Sequence, residues 1–208
     1  ASKGTSELVI SSYRKSFFSH HSRIRVASVR AGNVIGGGDW AKDRILPDCI
    51  RAIRSNTPIT VRNKTATRPW QHVLEPLSGY LWLGAQLASS SDKCLQGAFN
   101  FGPDTASNRT VAELVSELIL HTGGKWIDAS ESEAPHEASK LNLAIDKAFH
   151  ILKWQPVWEF KQTIEATAIW YLKEKSSNNV ADLTQKQIMD YQSCAAKKSL
   201  PWALPNNP

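Results

Sequence analysis

The feature that most constrains this chain is the stretch Arg30-Ala31-Gly32-Asn33-Val34-Ile35-Gly36-Gly37-Gly38-Asp39-Trp40, where a β-branched run passes straight into three glycines. Val and Ile favour extended backbone, and a run of glycines ends it. A strand that runs out into a glycine-rich loop is how an open α/β sheet presents ligand-binding groups at its strand ends. A second stretch, Arg68-Pro69-Trp70-Gln71-His72-Val73, has a similar character. It sets a guanidinium, an amide and an imidazole beside a flat apolar ring, a combination suited to a phosphorylated ligand.

Helix-like and strand-like segments alternate around these two stretches. The spacing predicts a helix over residues 3–18, with Leu8, Val9, Tyr13 and Phe17 on overlapping turns, and a strand over residues 24–30. A helix over residues 46–54 has Pro47 in its first turn, where a missing N–H costs nothing. A short strand follows at residues 58–62. Pro76 opens an apolar helix carrying Leu77, Leu81, Leu83 and Leu87, and residues 98–101 form another strand. Thr110-Val111-Ala112-Glu113 has the capping-box pattern, and the helix it starts stops at Gly123-Gly124. Further helices are expected over residues 146–152 and 160–173, the second with Ile164, Ala168, Tyr171 and Leu172 inward. From Ser176 onward the chain reads as a peripheral tail, helical near residues 185–192. This alternation defines an α/β protein.

With 208 residues, 41% of them apolar, the chain can bury a core and no run is long enough to span a membrane. The first residues lack the basic and apolar regions of a secretion signal, so a cytoplasmic location is expected. The three cysteines show no Cys-x-x-Cys spacing, which points to free thiols. His20-His21 diverge on a helix and have no partner at ligand spacing, so no metal site is expected. The net charge of +6 is spread along the chain, with no basic run longer than Lys197-Lys198. That distribution favours an anionic small molecule over nucleic acid. One part of a doubly wound domain is missing: no Gly-x-Gly-x-x-Gly occurs, and Gly36-Gly37-Gly38 lacks that spacing.

Together, Ala1-Ser2-Lys3-Gly4 and the two stretches above resemble the nucleotide-sugar branch of the extended short-chain dehydrogenases, and within it the CDP-glucose 4,6-dehydratase family. Phe99-Asn100-Phe101-Gly102-Pro103, Pro135-His136-Glu137-Ala138 and Trp154-Gln155-Pro156 add to the resemblance. Relatives acting on dTDP- or UDP-sugars usually have Arg-Asp-Trp or Arg-Asp-Tyr where this chain has Arg68-Pro69-Trp70. The likeness runs to about Lys173, and weakly to Tyr191. It implies the C-terminal part of a Rossmann-like fold, a remnant of the parallel sheet with a small α/β substrate-binding domain. Residues 1–34 and 69–102 would be the remainder of the NAD-binding domain, residues 35–68 and 103–178 the nucleotide-sugar domain, and residues 179–208 the tail.

The resemblance also implies an activity: conversion of CDP-glucose to CDP-4-keto-6-deoxyglucose by an NAD-mediated internal redox cycle, for the deoxysugars of surface polysaccharides such as O-antigen. Intact relatives dimerise through the helix near Lys3. Their cofactor-binding glycines and the Tyr of the Tyr-x-x-x-Lys pair lie upstream of Ala1. The expectation is therefore a fragment that neither binds NAD nor makes product alone, and that self-associates through an uncovered sheet edge.

Carried over residue by residue, Lys3 matches the Lys that holds the nicotinamide ribose and lowers the Tyr pKa. Ala31, Gly32 and Val34 would pass the nicotinamide face. Asn33 matches the amide that bonds the sugar or its phosphate; the plainer reading is an Asn turning the chain in left-handed geometry. Arg68 corresponds to the bidentate grip on the pyrophosphate. Val61 and Arg62 lie where relatives cradle the base, although Asn63 is followed here by Lys64 where relatives commonly have Pro. Leu46 and Pro47 would contact the ligand, and His136 either reaches the nucleotide or is a plain surface histidine. Trp40 and Trp70 would line the pocket. Two alternatives stand beside the dehydratase: a non-catalytic CDP-sugar-binding or scaffold protein, and an epimerase acting on another nucleotide sugar.

Overall fold

The computed structural model describes residues 2–18, 23–130, 142–176 and 179–204. Helix α1 (Ser2–Tyr13) runs into a π-helical turn at Arg14–Phe18. Strands β1 (Ser28–Ala31) and β2 (Asn33–Ile35) are separated by Gly32 alone. There follow α2 (Ile45–Arg54), β3 (Ile59–Val61), β4 (Thr67–His72), α3 (Leu74–Ser89), β5 (Ala98–Phe101) and β6 (Asn108–Thr110). The remaining elements are α4 (Val111–Thr122), β7 (Trp126–Asp128), α5 (Asp146–Leu152), α6 (Phe160–Lys173) and α7 (Val180–Lys197).

The strand pairs β1–β5, β2–β4 and β3–β7 are parallel, as crossover connections through helices require, and β6 joins β4 antiparallel. Gly32 is where the chain changes partners. Before it Val29 lies opposite Phe99, and after it Asn33 lies opposite Trp70. A Cβ at Gly32 would sit 3.1 Å from both the Leu143 and Pro69 side chains, so any larger residue at the switch would press on both.

Three clusters form the core. The largest joins α2, α4 and α6 to Val61 and Trp70, with Leu46, Cys49, Leu114, Leu118 and Ile164 at its centre. A second packs Phe99 and Phe101 of β5 against Leu83, Leu152 and Trp154. Gly79 lets α3 approach β5, since a Cβ there would lie 2.1 Å from the Phe101 ring. The third holds Val157, Trp158, Tyr191, Ala195 and Leu200. Burying each such large side chain contributes about 1.5–3 kcal/mol.

The capping box is present in full: the Glu113 amide donates to Thr110 Oγ1 at 3.1 Å, and the Thr110 amide donates to Glu113 Oε2 at 2.7 Å. Gly123, at φ +70°, ends α4. Four expectations change. The strand expected over residues 24–30 is confined to Ser28–Ala31. On α3 the buried face carries Gly79 and Leu83, while Leu77 and Leu81 are exposed. Leu172 on α6 is exposed too, because Tyr171 and Ala168 already occupy the inward face. The segment after residue 178 is not peripheral: Tyr191, Ala195 and Leu200 are buried against Val157 and Trp158. In α1 no residue is buried.

Candidate functional site

The two glycine- and arginine-bearing stretches meet. β2 and β4 are neighbours in register, with Asn33 opposite Trp70, Val34 opposite Gln71 and Ile35 opposite His72. Beside them opens a cleft of about 1770 Å³. Alternation puts Arg68, Trp70 and His72 on one face of β4, and parallel register puts Asn33 and Ile35 on that same face. Asn33 and Arg68 both line the cleft, with the Trp70 ring between them on the ladder. Asn33 is extended strand backbone, so the left-handed turn reading of that residue is set aside.

Each neighbour on β4 is held by its own bond. Arg68 Nη1 donates to the Thr67 carbonyl at 2.9 Å, and Trp70 Nε1 donates to the Arg109 carbonyl on β6 at 3.0 Å. Gln71 Nε2 donates to the Phe101 carbonyl at 3.1 Å, tying β4 to β5. His72 is fully buried; its Nδ1 accepts from the Leu74 amide at 3.3 Å and its ring meets Trp158 edge-on. Burial lowers its pKa to about 4, so the imidazole is neutral at neutral pH and serves packing rather than proton transfer.

Just beyond β4, Glu75 is fully buried and accepts three hydrogen bonds. The Trp158 amide donates at 2.7 Å, the Val157 amide at 2.9 Å and the Tyr191 hydroxyl at 2.8 Å. Burial raises its pKa to about 7 even though these donors and the Lys198 ammonium pull it down. The carboxylate thus clamps the start of α3 to the 157–158 turn and to α7.

The triple glycine has a different role from the one its composition suggests. Gly36 lines the cleft. Gly37 instead rests on Trp170, where a Cβ would lie 2.0 Å from the indole, and Gly38 takes φ +85°. Trp170 Nε1 in turn donates to Thr184 Oγ1 on α7 at 3.0 Å. Tyr171 Oη donates to the Asp39 carbonyl at 2.6 Å, and Trp40 packs edge-on against Tyr171 with the Arg54 guanidinium 4.5 Å over its ring. Trp40 is therefore drawn onto α6 and does not line the cleft, whereas Trp70 does.

Of the residues singled out from sequence, Lys3, Ala31, Gly32, Asn33, Val34, Leu46, Pro47, Arg62 and Arg68 all line this one cleft. Val61 does not. Strand alternation turns it with Ile59 into the core, fully buried, and its carbonyl accepts from the Ala129 amide at 2.8 Å. His136 lies outside the described residues, as do His20 and His21. Two further lining carboxylates had no sequence motif to announce them. Glu7, one turn after Lys3, accepts from Ser28 Oγ at 2.8 Å and lies 3.4 Å from Arg30 Nε. Asp43 lies 3.5 Å from Arg62 Nη2.

Seven Lys and Arg residues against four Asp and Glu line the cleft, so it carries a positive potential suited to an anionic ligand. Leu46, Pro47 and Trp70 supply apolar floor. Among the described residues no group of three or more His, Cys, Asp or Glu is placed to hold a metal ion. No helix among them is long and apolar enough to cross a membrane.

The same fold is found in solved nucleotide-sugar epimerases and a dehydratase, each matched over about half of its length. The UDP-glucose 4-epimerase of Thermotoga maritima, solved with UDP-glucose, superposes with a TM-score of 0.68 at 17% identity, over 84% of this chain and 53% of that one. The UDP-glucuronic acid 4-epimerase of Bacillus cereus, solved with UDP-glucuronic acid and NAD, gives 0.67 at 18% identity over 81% and 50%. The dTDP-glucose 4,6-dehydratase of Bacillus anthracis, solved with NAD, gives 0.62 at 16% identity over 81% and 50%. In sequence the chain is similar to CDP-glucose 4,6-dehydratase of Salmonella typhimurium, 39% identical over 202 residues, which bears out the resemblance read from the motifs. That match covers 94% of this chain and 56% of the relative, so the chain spans just over half the length of the curated relative it matches. No family model matches the chain.

Proposed function

We propose that the cleft is the nucleotide-sugar side of a CDP-glucose 4,6-dehydratase, binding CDP-glucose by its diphosphate and hexose. The observation that carries this reading is the convergence of Asn33 and Arg68 on one face of the β2–β4 ladder, in a cleft lined by excess cations. Arg68 offers a planar fork to the diphosphate, a geometry a lysine cannot match. Asn33 offers both a donor and an acceptor to sugar hydroxyls. Trp70, Leu46 and Pro47 exclude water from the apolar faces, and Arg62 stands where the base would lie. The identity with the Salmonella enzyme supports cytosine over other bases.

NAD would enter the same cleft at its β1–β2 end, where Ala31, Gly32 and Val34 line it together with Lys3. Bound there, NAD would supply hydride transfer at the hexose. Lys3 would hold its ribose, and Glu7 would fix α1 against β1 through Ser28 and Arg30. The 208 residues contain no glycine-rich dinucleotide turn, so we expect this chain alone to bind the sugar nucleotide but not to retain NAD or form the 4-keto product. Its place in deoxysugar and surface-polysaccharide synthesis, in the cytoplasm, and a dimer built on α1 follow from the same reading. So does the division into a Rossmann remainder around the β5 cluster and a sugar-binding domain around α2, α4 and α6.

Incubation of the chain with CDP-glucose and NAD, followed by chromatography, tests the catalytic half of this proposal; appearance of CDP-4-keto-6-deoxyglucose would overturn it. Competition among CDP-, UDP- and dTDP-glucose tests the ligand half, and preference for UDP-glucose would favour an epimerase instead. The second reading, a CDP-sugar-binding protein without catalysis, is favoured by a cleft whose described lining residues include no Tyr, His or Cys.

A further inference from the structure

The loop between β2 and α2 is held in two unlike ways. Its first part is tied to the body of the protein. The Asp39 carbonyl accepts from Tyr171 Oη at 2.6 Å, and Arg51 donates from Nη1 to the Trp40 carbonyl and from Nη2 to the Ala41 carbonyl at 3.0 and 3.1 Å. Its second part, residues 42–44, lines the cleft; its side chains are held by exposed charge pairs, and beyond Asp43 the Arg44 carbonyl accepts from the Asp48 amide of α2 at 3.0 Å. Arg44 lies 3.6 Å from Asp39, and Asp43 lies 3.5 Å from Arg62, which follows β3. Asp43 also takes φ +62°, a left-handed backbone that Asp tolerates better than most residues.

Asp43 is thus an anion placed among the cations of an anion-binding cleft, facing one that stands at the expected position of the ligand. Both side chains of the pair are about four-fifths exposed, so the contact is weak and exchangeable. We propose that Asp43 and Arg62 form a clasp over the cleft. Asp43 occupies Arg62 in the ligand-free protein, and the cytosine base, whose carbonyl oxygen accepts from a guanidinium, displaces it, freeing Lys42 and Asp43. Asp43 is then a built-in competitor for Arg62 that weakens ligand affinity. This rests on the nucleotide-sugar reading of the cleft, and it adds a residue that makes no favourable contact with the ligand.

The test uses the full chain. Asp43→Asn removes the charge while keeping a residue that tolerates left-handed backbone. In calorimetric titrations with CDP-glucose at low salt, D43N should bind about two- to fivefold more tightly than the unaltered protein. That gain should shrink at high salt, where exposed pairs are screened. Arg62→Met should weaken binding, and D43N should gain less in the R62M background than in the unaltered protein. Binding by D43N equal to or weaker than the unaltered protein overturns the clasp while leaving the nucleotide-sugar reading intact. If the unaltered chain does not bind CDP-glucose, that reading fails. The clasp is then decided without ligand by backbone NMR relaxation of Lys42 and Asp43: faster motion in R62M supports it, and identical relaxation overturns it.

Discussion

The Tyr191 hydroxyl donates a 2.8 Å hydrogen bond to Glu75 Oε2, joining the last long helix to a carboxylate only seven residues after Arg68. Both groups are buried, and the same carboxylate receives the amides of Val157 and Trp158. A segment that reads as a polar tail is in this way part of the support under the candidate site.

Tyr191→Phe removes the hydroxyl and leaves the ring stacked on Trp202 and edge-on to Trp158. The loss is one buried donor to a carboxylate, about 1–3 kcal/mol. Urea unfolding should show a lower midpoint with an unchanged slope.

Glu75 also gives stability a pH dependence of unusual sign. Burial is the larger cause and raises its pKa in the folded state to about 7, above the unfolded value of 4.5. The folded state therefore binds the proton more tightly, and the corresponding stability is complete below about pH 4.5 and is lost as pH rises toward 7. The urea midpoint of the unaltered protein should include a fall across that window, and Glu75→Gln should flatten it even if its overall stability is lower. An identical pH profile in the two proteins would remove Glu75 as the cause.

Gly37→Ala forces a Cβ to within 2.0 Å of the Trp170 indole, which is itself bonded to Thr184. Overpacking of this kind costs about 1–3 kcal/mol, and the rigid ring cannot swing aside as a flexible chain end would. Reduced thermal stability with an altered tryptophan emission spectrum is the expected result. Gly36→Ala brings its Cβ 2.8 Å from a Val73 methyl, a smaller clash, and should cost less.

What the sequence made legible was local. Thr110–Glu113 announced its cap because both partners lie within one turn, and the apolar spacing of residues 160–171 marked the inward face of α6 up to Leu172. The candidate site residues were legible because strand ends converge in any open α/β sheet, and nine of them do line one cleft. The errors were long-range. Nothing local says that Gly37 makes room for Trp170 rather than for a phosphate, or that Trp40 is claimed by Tyr171 and Arg54. Val61 was the exception, since its alternation with Ile59 around an exposed Thr60 already pointed it into the core.

Calorimetric titration of CDP-glucose into the chain and its Arg68→Ala variant tests whether Arg68 holds the diphosphate of a CDP-sugar. Loss of a charge-assisted contact costs about 1.5–3 kcal/mol, so R68A should bind roughly 10- to 150-fold more weakly while unfolding at nearly the same urea concentration. Equal affinity in the two proteins, or no binding of CDP-glucose by the unaltered chain, would contradict that role of Arg68.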